Sequence, residues 1–296
     1  MAAPGLAGAV ADWRPGPVST TDVLAPWPAA AFSALLDLPG PAAGPGDPLP
    51  PLWHWLHFLD HPRRSELGED GHPAHGHFLP PLPDRRRMIA GGRLVVHVPM
   101  RVGDRIERRS ELATVQPKSG RSGEMLFVAV RHEFRRSGEL LAVEEQDVVY
   151  RSQPAGQSRP TPAPGPVREP GSRWRLDLPT DPALLFRFSA LTYNTHRIHY
   201  DQPYATGVEG YPGLVVHGPL LALLLLEIPR REMSDRAVRA FDYRLVRPVF
   251  AGQVVRTEGD VDPTATEVVL TTGGVGQPGS AVATARMGVR NEVHPA

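Results

Sequence analysis

The sequence predicts an α+β fold assembled from two copies of one unit, an apolar helix followed by an antiparallel meander. Residues 93–104 form an extended run, then Pro99, a four-residue step to Gly103 and a polar residue, and residues 241–253 repeat that order with Pro248 and Gly252. Strand-like segments follow each copy: 106–115, 125–134 and 140–150 after the first, 254–261, 267–274 and 280–289 after the second. Turn-rich SGRSG, RRSG, DPTAT and GQPG separate them, as antiparallel hairpins require. One apolar helix candidate precedes each block, at 52–59 and at 218–228, the latter with Pro219 suited to its first turn. Two central helices, each wrapped by an antiparallel sheet, make a double hot-dog. A β-sandwich has no use for an all-apolar helix at this place.

The stretch SQPAGQSRPTPAPGPVREPG is rich in Pro and Gly and almost free of large apolar side chains, which favours an extended, solvated connector. It divides the chain into an N-terminal hot-dog domain at 1–151, a linker at 152–170 and a C-terminal hot-dog domain at 171–296. Residues 41–51 are also rich in Pro and Gly and are expected to be a long loop inside the first domain.

Composition narrows the chemistry. Lys+Arg and Asp+Glu are equal at 32 each, so no global field favours nucleic acid or an anionic membrane. Lys118 is the sole lysine, and its QPKSGRSG setting suits neither a Schiff base nor a phosphate-binding loop. The absence of cysteine removes thiol nucleophiles, disulfides and thiolate zinc sites. It fits a reducing cytosol, and MAAPGLAGAVADWRPG lacks the pattern of a secretory signal, so a cytoplasmic location is expected. The longest apolar run, 213–228, is shorter than the roughly 20 residues a spanning helix needs, is interrupted by His217, and is expected to end at Pro229.

The chemistry concentrates in FSALTYNTHRIHYDQPYA and EGYPGLVVHGPL, residues 188–205 and 209–220. Asn194, His196, His199 and Asp201 crowd ahead of the most hydrophobic helix, which suggests a base at the mouth of an apolar tunnel beside a helix N-terminus. With PLPPLWHWLHFLD, GEDGHPAHGHFLPPLP and RRRMIAGGRLVVHVPMRVGD in the first half, the chain resembles the MaoC-like, hydratase-2 family of double hot-dog enoyl-thioester hydratases and dehydratases. It looks closest to the branch of 3-hydroxyacyl-thioester dehydratases type 2 and mesaconyl-C4-CoA and itaconyl-CoA hydratases.

The resemblance implies a catalytic second half and a non-catalytic first half that walls the pocket. Against the family pattern Ser-Gly-Asp-x-Asn-Pro-(Ile/Leu)-His-x-Asp, His199 takes the place of the catalytic histidine and Asp201 that of the trailing aspartate. Asn194 stands where most relatives carry the catalytic aspartate, and His196-Arg197 stands in place of Asn-Pro. An amide does not exchange protons as a carboxylate does. His199 is therefore expected to be both base and acid, with Asn194 holding the water through its carbonyl oxygen and the Gly218 amide facing the thioester oxygen. Tyr193, Arg197, Asp201, His217 and Arg93 are the expected substrate-binding residues, Arg197 for a distal carboxylate. Arg85, Arg86, Arg87 and Arg93 suit the phosphates of a CoA carrier.

No metal or other cofactor is expected. Two histidine groups, His54/His57/His61 and His72/His75/His77, lack the carboxylate-plus-histidine pattern that completes a metal site. The expected partner is an acyl-CoA or acyl-ACP thioester, and the expected assembly a monomeric pseudo-dimer or a homodimer. A non-catalytic acyl-thioester binder and a hot-dog thioesterase remain open alternatives on sequence alone.

Overall fold

The computed structural model describes residues 5–82, 85–120, 123–152, 172–261 and 266–290. The first half holds helix α1 (Leu6–Ala9), strand β1 (Val18–Val23), helix α2 (Pro26–Leu35) and strands β2 (Arg85–Val96), β3 (Arg105–Gly120), β4 (Gly123–Arg136) and β5 (Glu139–Ser152). The second holds β6 (Trp174–Pro179), α3 (Pro182–Leu191), α4 (Gln202–Gly207), α5 (Gly218–Glu232), β7 (Arg236–Leu245), β8 (Val254–Val261), β9 (Glu267–Gly274) and β10 (Gln277–Val289). The strands form one antiparallel sheet in the order β1-β3-β4-β5-β2-β7-β10-β9-β8-β6. Each half contributes five strands, and the halves join where β2 pairs with β7, from Gly91↔Arg244 to Val95↔Ala240. This is the double hot-dog the sequence predicts.

The repeated Pro-to-Gly step is a real structural equivalence. Gly103 and Gly252 have φ of +99° and +88°, which glycine adopts without steric cost. The Gly103 amide donates to Leu24 O at 2.8 Å and the Leu24 amide to Asp104 O at 2.9 Å. In the second half the Gly252 amide donates to Thr180 O at 2.8 Å and the Thr180 amide to Gln253 O at 3.0 Å. Each turn thus anchors the residue leading into a helix, α2 in one half and α3 in the other. Those two helices pack on each other, with the Phe32 and Phe188 rings 6.1 Å apart. Strands β1 and β6 and helices α2 to α4 escaped the sequence reading because they are short and carry no clear periodicity.

The same pairing shows why the first expected central helix does not form. Leu49 bonds Met100 O as Val216 bonds Val249 O, both at 2.8 Å, so residues 52–59 stand where α5 begins in the second half. They make only a 3₁₀ turn, Trp53–Leu56. The polar groups there have been claimed by other elements. Glu144 receives His54 Nε2 at 2.7 Å and Trp55 Nε1 at 2.7 Å, while the Phe58 amide donates to Asp22 Oδ2 at 2.8 Å. Trp53, Phe32 and Phe134 fill the space, and one hydrophobic core runs through both halves.

Helix α5 is the true central helix, its residues from Leu220 to Pro229 all buried. It does not stop at Pro229 but continues to Glu232. The Glu227 carboxylate, buried, takes Arg230 Nε at 2.9 Å and Arg231 Nε at 3.4 Å, tying the last turn down despite the missing proline donor. The expected connector lies outside the described residues except for Ser152, which ends β5. Among the described residues no helix is long and apolar enough to cross a membrane.

Glu144 is a test of the first half. Burial alone would raise its pKa, but His54 and its other partners hold it down at about 2. Removing the carboxylate strips His54, Trp55 and Gln146 of their common partner, and leaving buried polar groups unsatisfied costs about 1–3 kcal/mol. Glu144→Ala is expected to lower chemical-denaturation stability by that amount. A loss under about 1 kcal/mol would show that the cluster is dispensable.

Candidate active site

Helix α3 delivers the segment that carries the candidate base by the way it ends. Asp181 caps its start, accepting the Leu184 amide at 2.7 Å. At its other end Tyr193 turns left-handed at φ +49°, the Tyr193 amide reaches Ala190 O at 3.4 Å and the Asn194 amide reaches Ser189 O at 2.8 Å. That pair of bonds is a Schellman motif, which reverses the chain with a tyrosine where glycine is usual. Asn194 Oδ1 then accepts the His196 amide at 2.9 Å, and a 3₁₀ turn, Arg197–His199, brings His199 inward.

His199 is only 6% exposed. Its Nδ1 lies 2.7 Å from Val215 O, and the Val215 amide donates to Ile198 O at 2.9 Å, so strand-like pairing and the side chain fix the same register. A carbonyl accepts only, so Nδ1 carries the proton and Nε2 keeps its lone pair for the cleft that His199 lines. The His217 ring stacks on His199 at 3.7 Å and 18°, with its Nε2 2.8 Å from Ser189 Oγ and Phe188 edge-on behind it. Burial lowers the pKa of His199 to about 4, the Val215 carbonyl opposing and His72 adding to the shift. Burial and His199 likewise hold His217 well below its ordinary value. His199 is therefore neutral at physiological pH, able to accept a proton and locked in one orientation.

Gly218 is the first residue of α5, directly after this histidine pair. Its amide sits at the positive end of a 15-residue helix and has no residue a turn earlier within the helix to bond to. Pro219 offers no donor at all, which leaves Gly218 the first amide pointing out of the helix end.

The first half reaches this site through residues 68–73. Gly71 packs so closely on the segment 194–199 that a Cβ there would lie 2.0 Å from Thr195 O, and its φ is +84°. Thr195 Oγ1 donates to Gly71 O at 2.6 Å and the Arg197 amide to Asp70 O at 2.9 Å. The loop thereby sets Asp70 Oδ2 3.0 Å from His72 Nδ1 and lays the His72 ring on His196 at 3.9 Å. His196 in turn meets His199 edge-on at 5.4 Å. Four imidazoles thus line up as His72, His196, His199 and His217. Gly71→Ala is expected to cut turnover at least tenfold by dislodging this loop, with strain of about 1–3 kcal/mol at the backbone; wild-type kcat and melting temperature would contradict that.

Both halves wall an open cleft of about 1380 Å³ that Asp70, His72, Asn194, His196, His199 and Gly218 line. Arg86, Arg87 and Arg93 enter it from β2. Of the expected substrate-binding residues, His217 lies behind His199, fully buried. Arg93 lines the cleft but is paired with Glu145 at 2.9 Å and Asp147 at 3.1 Å. Arg197 does not reach it: its guanidinium forks onto Asp201 Oδ2 at 2.8 and 3.0 Å, donates to Glu69 O and stacks on Tyr204. Asp201 spends its other oxygen capping α4 through the Tyr204 amide. Tyr193, 56% exposed, serves the Schellman turn outside the cleft.

The two histidine groups come apart. His54 belongs to the Glu144 cluster, His57 is buried, and His61, His75 and His77 are exposed. Among the described residues one group, Asp70, His72 and His196, brings three ligand atoms within 4.8 Å of one another. Its geometry suits hydrogen bonding better than a cation. Asp70 already holds the His72 ring and amide, the two imidazoles face each other at 33°, and Arg87 acts on both ends.

Against known sequences, the profile of hydroxyacyl-thioester dehydratase type 2 matches residues 52–251. The chain belongs to this family. It is 48% identical over 225 residues to a mesaconyl-C(4)-CoA hydratase of Chloroflexus aurantiacus, covering 75% of this chain and 78% of the relative. A MaoC-like dehydratase structure superposes with a TM-score of 0.65 at 16% identity, covering 94% of this chain and 99% of its own. A Mycobacterium tuberculosis protein described as a double hot-dog gives 0.56 at 15% identity, covering 96% and 98%. As a hydroxyacyl-thioester dehydratase type 2 family member, the chain is a hydro-lyase of the hydratase/dehydratase type.

The first half, expected only to wall the pocket, supplies Asp70 and His72 to the cleft that His199 lines. Sequence reasoning grouped His72 with His75 and His77 and passed over Asp70. The usable signal was GEDGHP itself, a glycine between an acid and a histidine that permits a tight turn placing both side chains together.

Proposed function

We propose that the chain hydrates a branched C5 dicarboxylyl enoyl thioester, mesaconyl-C4-CoA, to its 3-hydroxyacyl form, citramalyl-CoA. The single observation that supports the chemistry is the juxtaposition in one cleft of His199, neutral with Nδ1 bound to Val215 O, and the Gly218 amide at the start of α5. The identity with the Chloroflexus hydratase supports the choice of acyl group.

In this reading Nε2 of His199 takes a proton from water as the oxygen bonds to C3. The C2=C3 electrons move onto the thioester oxygen, where the Gly218 amide and the helix N-terminus meet the developing charge; one such donor is worth about 10²–10³ in rate. The enolate then collapses, and C2 takes the proton back from the imidazolium, leaving His199 neutral and one water added. A neutral imidazole both accepts and returns the proton, so the step needs no carboxylate at position 194. Asn194, with Oδ1 already holding the His196 amide, shapes the segment that positions His199 and lines the cleft beside it. A thioester of CoA is the carrier favoured by the identity with the Chloroflexus hydratase.

The test is loss of absorbance at the conjugated-thioester band with crotonyl-CoA, mesaconyl-C4-CoA and itaconyl-CoA. Hydration of mesaconyl-C4-CoA in preference to the other two is the expected result. No turnover of any, with tight binding retained, would leave a non-catalytic binder, and release of free thiol would make the protein a thioesterase.

A further inference from the structure

Strand β2 carries three described arginine side chains into the cleft, and two are already neutralised. Arg86 pairs with Glu209 at 3.1 Å, and Arg93 pairs with Glu145 and Asp147. The side chain of Arg87, half-buried in the same cleft, makes no hydrogen bond and no ion pair with any described residue. Asp70 feels its charge but does not serve as counter-ion, because one carboxylate oxygen takes the His72 amide at 2.9 Å and the other faces the His72 ring at 3.0 Å.

A partly desolvated guanidinium with its fork of donors unmatched is poorly placed until something anionic arrives. Its position says which anion. Arg87 lines the same cleft as Asp70, His196 and His199, its charge reaches His196, and the His196 ring meets His199 at 5.4 Å. The charge therefore lies toward the reacting end of the cleft, whereas the phosphates of a carrier are separated from the acyl group by the whole pantetheine arm. Arginine's planar fork matches the two oxygens of a carboxylate.

We propose that Arg87 receives a free carboxylate on the acyl group of the thioester, and that it sets a preference for carboxylated over plain enoyl thioesters. Arg87 takes the role expected of Arg197, whose guanidinium is occupied by Asp201. The inference rests on the hydratase reading in one respect, that the acyl group lies in this cleft with C3 at His199.

The test uses two saturated, unreactive ligands on the full-length protein, butyryl-CoA and methylsuccinyl-CoA esterified at C4. Both carry the same phosphates and thioester, and one carries the extra carboxylate. Calorimetric titration of Arg87→Met should weaken binding of the carboxylated ligand about 10²-fold, the loss typical of truncating one partner of a desolvated charge pair. Butyryl-CoA affinity should stay within about twofold of wild type, which also verifies that the variant is folded. Arg87→Lys, which keeps the charge and loses the fork, should fall between. Equal weakening of both ligands would assign Arg87 to the carrier phosphates, and no weakening of either would remove it from binding; both results overturn the proposal. Hydration is read separately. An Arg87-dependent preference without hydration by the wild type would sink the proposed reaction and leave the carboxylate site standing. Hydration of mesaconyl-C4-CoA untouched by Arg87→Met would do the reverse.

Discussion

His199→Gln is expected to lower kcat for enoyl-thioester hydration by about 10²–10⁴, the contribution typical of a positioned acid/base group. Glutamine roughly preserves the volume beneath the cleft and can still donate to Val215 O, but it neither accepts nor returns a proton. The loss should appear in kcat with KM changed less than about threefold, because the proton transfer is made only on the way to the transition state. Some rate should survive if the Gly218 amide meets the thioester oxygen as proposed, because that donor is untouched by the substitution. Far-UV circular dichroism and the melting temperature should stay close to wild type, the stacked His217 keeping its own tie to Ser189 at 2.8 Å. A folded His199→Gln protein with kcat within about tenfold of wild type would remove His199 as the base and move the search to the Asp70–His72 pair across the cleft.

Much of this site was legible from residues close together in sequence. The apolar run of α5, the strands of both meanders and the step from His199 to His217-Gly218 are all local patterns, and β8 and β9 run over the predicted residues, Val254–Val261 and Glu267–Gly274. What stayed hidden depends on distant pairings. Nothing near residue 52 announces that Glu144 and Asp22 will claim the polar groups of that segment and leave a single 3₁₀ turn. Nothing near Arg197 announces that Asp201 will hold its guanidinium, although the four-residue spacing permitted it. The Asp70–His72 pair enters the cleft only because Gly71 docks on Thr195, a contact spanning both halves of the molecule. A spacing along the chain can nominate a base, but the neighbours of that base come from the fold.

Acidification is expected to unfold the protein well above the range where carboxylates titrate. Burial holds His57, His132 and His199 down at about 4, and His196 and His217 well below their ordinary value. In the unfolded chain each regains a pKa of about 6.5. Below that pH the unfolded state binds more protons than the folded one, so stability is full above about 6.5 and falls as the pH drops toward 4. Each such proton costs roughly 1.4 kcal/mol per pH unit once the unfolded histidine is charged and the folded one is not. Counting only the three groups near 4, the slope is about 4 kcal/mol per pH unit, enough to consume a typical stability of about 5–15 kcal/mol within a few units. Glu209, raised by burial, works in the opposite direction, but it is one group against five. Glu144 and Asp70 have lowered values and add to the loss only further down, below the ordinary carboxylate range. Tryptophan fluorescence, reporting through buried Trp53, should therefore show a cooperative transition between about pH 4 and 6, steeper than one proton. Hydratase activity should persist at pH 6 and then vanish with the fold, because the base is already neutral there. A gradual, one-proton loss of activity centred near pH 6.5 in protein that is still folded would show that His199 titrates as an exposed imidazole, and that burial does not govern its charge.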